Sequence, residues 1–150
     1  SAGRTWSDLS LAIVPMIVGG MMAADRTTGE QALTSVGYAT IMTLSLKVAS
    51  GRGRPLHEEG PHFFSPMSFD DHHHSFPSGH AAVAFALAAS IADSYPQWAG
   101  LGYAAAAGVA FSRVVVREHW ASDAVFGAVM GYAIGKGVAS GTLPIVEWKW

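Results

Sequence analysis

The chain contains no cysteine. That excludes a disulfide scaffold, a thiolate zinc site and a cysteine nucleophile, and it suits an oxidising compartment. Charge is also scarce: Asp, Glu, Lys and Arg make up 13% of the residues, about half the usual ~25%. Such a chain is not disordered, a coiled coil or a charged surface array. A net charge of −2 provides no basic face, so a nucleic-acid partner is not expected. There is no internal repeat and no second domain boundary, so residues 1–150 read as one domain. Long apolar runs are missing too. The uncharged stretches Leu9–Ala24, Gln31–Leu46, Ala81–Ala92, Ser94–Ser112 and Ala124–Gly135 mostly fall short of the ~20 residues of an independent bilayer span. Ser94–Ser112 has the length, but it opens on Ser94, Tyr95, Pro96 and Gln97. These runs suit core helices, with membrane embedding as the second reading.

Hydrophobic residues nevertheless make up 50% of the chain, alongside 17 Gly. The runs lack polar alternation and are rich in Ala, Leu and Met, which favours helix over half-exposed strand. Helices are expected near 8–24, 30–50, 79–94, 98–113 and 122–138, giving an all-α fold: a compact bundle of about five to six helices with a site at the helix ends. Ser122 is the expected cap of the last helix, with Asp123 in its first turn. Gly127, Gly131 and Gly135 recur every four residues, a pattern of close helix packing that Ala104 and Gly108 are expected to share. Leu9–Ala24 also imitates a signal-peptide core, although the bundle needs a helix there. Residues 51–78 hold four of the seven prolines and read as one long loop, a length that compact domains rarely tolerate without function. The tail Gly141–Trp150 reads as a short strand or an apolar clasp.

Three clusters interrupt the apolar background. Lys47 ends a helix and is separated by six residues from Arg54-Pro55 in a Gly-rich turn. Pro77-Ser78-Gly79-His80 opens an apolar helix, where a Ser cap and a Gly leave backbone N–H groups open to an anion. Ser112-Arg113 precedes His119, and Asp123 lies four residues later, a spacing that lets a carboxylate approach the imidazole. Together they hold three cations, a helix N-terminus and two histidines. Three positive charges match a phosphate's roughly −1.5 to −2. Two histidines, one held by an acid, make a nucleophile and general-acid pair that needs no metal or cofactor. Asp70-Asp71-His72-His73-His74 reads as a solvated loop rather than a metal site. Arg117 and Glu118 either tune the rim of the site or pair with each other.

In order and spacing, Lys47–Pro55, Pro77–His80 and Ser112–Asp123 resemble the three-part signature of the type-2 phosphatidic acid phosphatase superfamily, which includes lipid phosphatases, bacterial acid phosphatases and vanadium haloperoxidases. The resemblance spans roughly Gln31 to Gly135. It implies a metal-independent phosphatase acting on a phosphomonoester or pyrophosphate, a lipid-borne one by the chain's apolarity and the family's common habit, with phosphate or vanadate as inhibitor. His119 corresponds to the nucleophile that forms a phosphohistidine, Asp123 to the residue orienting it, and His80 to the acid that protonates the leaving oxygen. Lys47, Arg54, Ser78, Gly79 and Arg113 correspond to the phosphate cradle. A periplasmic or extracytoplasmic place at or in the membrane is implied as well. The alternatives are a vanadium-dependent haloperoxidase, against which the short chain counts, and an inactive membrane-associated scaffold.

Overall fold

Ser78 has an extended backbone, and its hydroxyl accepts from the Ala81 N–H at 3.4 Å. That cap starts the helix Gly79–Ser94, here α3, around which the other helices are arranged. A computed structural model describes residues 2–149, with the side chains at 2–8, 10 and 11 outside the description. Among the described residues, α1 (Ala2–Ala24) and α2 (Arg26–Ser50) form a hairpin, and α4 (Ala99–Val115) and α5 (Ala121–Ala139) follow α3. The all-α expectation holds: the described residues contain no strand beyond one isolated bridge, Arg52 with Phe64. Residues 51–78 are the expected irregular segment, with two single-turn 3₁₀ helices at Pro55–His57 and Asp71–His73.

Glycine sets the helix spacing. A Cβ on Gly127, Gly131 or Gly135 would lie 2.4, 2.1 or 2.4 Å from the carbonyl oxygens of Ser78, Ala82 and Ala86. Both series advance four residues at a time in the same direction, so α3 and α5 run parallel with their backbones in near contact. Ala104 and Gly108 depart from the expected close packing. Both are exposed, and a Cβ on Gly108 would meet nothing within 4 Å.

The sorting of residue sizes is inverted relative to a water-soluble core. Fully enclosed positions are small: Ala32, Ala39, Ala81, Ala82, Ala86 and Ala89, with Ser35 and Ser90. Large apolar residues face outward on α1, α2, α4 and α5, among them Met16, Ile41, Leu101, Phe111 and Val125, whereas α3 exposes none. The expectation of buried core helices holds for α3 and is corrected for the helices around it, which touch through small faces and present bulk to the surroundings. α2 alone among the described helices is long and apolar enough to cross a membrane.

Polar groups gather at the two ends. At one end Asp25 caps α2 by accepting from the Thr28 N–H at 3.2 Å, and it also accepts from the Thr28 and Tyr95 hydroxyls at 2.7 and 2.9 Å. The tail is a clasp rather than a strand: Val146 N–H donates to Thr34 Oγ1 at 3.1 Å, and Tyr38 Oη donates to the Pro144 carbonyl at 3.0 Å.

Gly131→Ala is expected to destabilise by about 3 kcal/mol, the upper part of the overpacking range, because the clash is with backbone. Gly108→Ala should stabilise by up to about 1 kcal/mol through helix propensity alone. Thermal unfolding of the two variants checks this; shifts of the same sign would contradict the packing described.

Candidate active site

Four helix ends meet at the other pole. α2 closes on Gly51, whose φ of 57° is left-handed and whose Cβ, if present, would lie 1.6 Å from the Ser65 carbonyl oxygen. Only glycine fits there, and the chain turns sharply from Lys47 in the last turn of α2 toward Arg54. Gly79 seats the start of α3 on α2: a Cβ would lie 3.2 Å from Thr43 Cγ2 and 3.9 Å from Lys47 Cε. His80 follows it and is half-buried. Arg113, in the last turn of α4, is 6% exposed, and its charge acts on both Lys47 and His119.

His119 lies in the turn between α4 and α5 and is 3% exposed. Its Nδ1 lies 2.6 Å from the Ser75 carbonyl oxygen. A carbonyl only accepts, so Nδ1 carries a proton, and in the neutral ring Nε2 keeps its lone pair. Burial, then the charges of Lys47 and Arg54, push the imidazole well below its ordinary pKa, against the opposing pull of the Ser75 hydrogen bond. The ring is thus neutral and a single tautomer.

The expected direct contact between His119 and Asp123 is corrected. Asp123, third residue of α5, folds its carboxylate back to accept from the Trp120 N–H at 2.8 Å. The same carboxylate accepts from the Ser75 hydroxyl and from Arg52 Nη1. Its connection to His119 therefore runs through Ser75, whose hydroxyl meets Asp123 and whose carbonyl meets the ring. Ser122 is not the cap of α5 either: Trp120 takes that position, and the Ser122 hydroxyl accepts from Arg52 Nη1 at 2.9 Å.

The cradle cations already have acceptors. Lys47 Nζ donates to the His74 carbonyl. Arg54 donates Nη1 to Glu118, Nη2 to Asp71 Oδ1 at 2.9 Å and Nε to the Asp71 carbonyl at 2.9 Å. Glu118 thus serves Arg54, while Arg117 Nη2 donates to the Pro55 carbonyl at 3.1 Å. The histidine run diverges to separate partners. His72 stacks on His57 with ring centroids 4.0 Å apart, His73 Nε2 lies 3.4 Å from Glu59, and His74 Nε2 lies 2.9 Å from the Ser68 carbonyl.

Ser75 and Arg52 are the site residues that motif spacing misses. The one signal for Arg52 was its charge in a charge-poor chain, two residues before Arg54. Nothing in the sequence marks Ser75 apart from its neighbours.

The sequence profile described as the PAP2 superfamily matches residues 30–143. The lipid A 1-phosphatase of Rhizobium etli is 33% identical over 105 residues, covering 69% of this chain and 45% of that protein. The lipid A 1-phosphatase of Rhizobium johnstonii is 32% identical over 105 residues, covering 69% and 43%. That of Porphyromonas gingivalis is 41% identical over 66 residues, covering 41% and 15%. The chain therefore spans less than half the length of these relatives. No solved structure matches it significantly. The profile takes in all three clusters, α2 from residue 30 onward and α3 to α5, and on that match the chain belongs to the PAP2 superfamily.

Proposed function

We propose that this chain is the catalytic unit of a membrane-embedded lipid phosphatase that works through a phosphohistidine. The observation that carries the reading is the His119 ring: buried, neutral, and held by Ser75 with Nε2 as its free lone pair. In the proposed reaction Nε2 attacks phosphorus, the P–N bond forms, and the P–O bond to the lipid breaks. His80 gives its proton to the departing oxygen. It then takes a proton from water, whose oxygen attacks phosphorus and breaks the P–N bond, releasing phosphate and free His119. Lys47, Arg54 and Arg113, with the Ser78 hydroxyl and the Gly79 N–H, bind the phosphoryl oxygens and stabilise their charge in the transition state. Binding substitutes phosphate oxygens for the internal acceptors that Lys47 and Arg54 now use.

The outward-facing bulk supports a lipid setting. The 16 residues of α3 rise about 24 Å and the 25 of α2 about 37 Å, bracketing a hydrocarbon core of about 30 Å. The site then sits at one membrane boundary, and we assign that boundary to the extracytoplasmic side. The relatives' names point to the 1-phosphate of lipid A as the first substrate to try. Phosphate release from that lipid, phosphatidic acid, an isoprenyl pyrophosphate and p-nitrophenyl phosphate tests the reading. Release is expected from at least one lipid, with no loss on EDTA, inhibition by vanadate, and a drop of ~10³-fold or more in His119→Ala. Because the His119 pKa is lowered, the acid limb of kcat/KM belongs below about pH 6.5, where an exposed imidazole would titrate. An acid limb above that, or activity surviving in His119→Ala, would contradict the role.

Asp123→Asn removes the countercharge of Arg52 in a site where the carboxylate is fully enclosed. It should cost about 3 kcal/mol of stability, at the lower edge of a broken buried pair, in addition to activity. Ser75→Ala keeps the carbonyl that holds His119, so it should lose about 1–2 kcal/mol from the unsatisfied carboxylate yet retain the acid limb of the wild type. Denaturation and pH–rate profiles of the two variants check this.

A further inference from the structure

A groove of about 730 Å³ runs between α1, α3 and α4, apart from the phosphate cradle. Its α3 wall is Ala84, Leu87, Ala88 and Ile91, a helical stripe that begins one turn earlier at His80. Its α4 wall is Gly102, Ala105, Val109 and Ser112, a stripe whose next member, four residues past Val109, is Arg113. Both walls therefore run directly into proposed site residues. The groove exists because these positions are small: a Cβ on Gly108 meets nothing within 4 Å, and one on Gly102 meets only Ala88 Cβ, at 3.7 Å.

The lining carries no charge, and its one hydroxyl, Ser112 Oγ, is turned onto the Val109 carbonyl at 2.7 Å. Apart from the Trp98 indole N–H at the far end, nothing polar is left to hold water or a polar ligand. The far end is marked by Trp98, and Ile13, Ile17 and Leu101 form exposed lips, so the groove opens sideways. From Trp98 to Ser112 is about 21 Å along the helix. One leaflet of hydrocarbon is about half of the ~30 Å core, so the groove is deep enough for a chain in one leaflet.

We propose that this groove holds one acyl chain of the lipid phosphate, with the phosphate among Lys47, Arg54 and Arg113 and the chain end toward Trp98. The proposal rests on the phosphatase reading, so p-nitrophenyl phosphate, which has no chain, serves as the separate check of the chemistry. With monodisperse alkyl phosphates from butyl to octyl, kcat/KM is expected to rise with each added CH₂, up to a ceiling of about fourfold. In Gly108→Leu and Ala105→Phe, which fill the groove, that rise should disappear while p-nitrophenyl phosphate turnover stays within about twofold of wild type. An unchanged chain-length dependence in both variants would overturn the groove assignment and leave the phosphatase reading standing. No hydrolysis of any phosphate, p-nitrophenyl phosphate included, would overturn both.

A binding measurement is independent of turnover. Tetradecylphosphonate brominated at its terminal carbons, at low fraction in phosphatidylcholine nanodiscs, should quench Trp fluorescence more than the isomer brominated beside the phosphonate. The Trp98 share, taken as the quenching lost in Trp98→Phe so that Trp120 beside the site is subtracted, should follow this order, and the difference in that share should vanish in Gly108→Leu. Equal quenching by the two isomers would overturn the proposed direction of the chain. No quenching, the result if a second copy or another polypeptide segment fills the groove, would overturn the proposal itself.

Discussion

The carboxylate of Asp123 holds the site together. It is fully enclosed and accepts from the Trp120 N–H, the Ser75 hydroxyl and Arg52, while the Asp123 carbonyl accepts from the Ser78 N–H at 3.0 Å. Those partners come from all three segments that carry the site. A buried carboxylate is tolerated only when its lone pairs are filled and its charge is opposed, and here each requirement draws one segment to its place. The His119 ring inherits its orientation from this arrangement, because the Ser75 that donates to Asp123 is the residue whose carbonyl takes the Nδ1 proton.

The bundle supports this knot with backbone contact rather than interlocked large side chains. Gly127, Gly131 and Gly135 let α5 lie against α3, and that proximity brings Ser78 and Asp123 within one hydrogen bond. Small residues at helix contacts suit a bilayer, where apolar bulk gains nothing by turning inward. The same economy leaves Ala84, Ala88, Gly102 and Ala105 unable to fill the space between α3 and α4, which is how a groove runs as far as Ser112, the neighbour of Arg113.

The helices were legible because their runs are long and bounded by Pro, Gly and charged residues; α3 was expected at 79–94 and spans Gly79–Ser94. The convergence of the three clusters was legible from spacing and resemblance. Local pattern failed where two outcomes share one spacing. Four residues between His119 and Asp123 permit a direct bond, but the free Trp120 N–H at the start of α5 captures the carboxylate first. Gly108 and Gly131 look alike in sequence, yet one faces open space and the other a carbonyl, a difference decided by which helix is opposite. Ser75 and Arg52 act across 48 and 71 residues of chain, beyond the reach of any local signal. The apolar runs also read as core, since hydropathy alone does not say whether bulk points in or out.

The account stands on His119 attacking phosphorus from its unprotonated Nε2. Rapid acid-free quenching during turnover, followed by peptide mass spectrometry, measures this directly. A phosphoryl group that is stable to base, labile to acid, located on His119 and chased away by continued turnover is the predicted result. Steady hydrolysis with no phosphorylated His119 at any time point, or with the phosphoryl group on another residue, would contradict it.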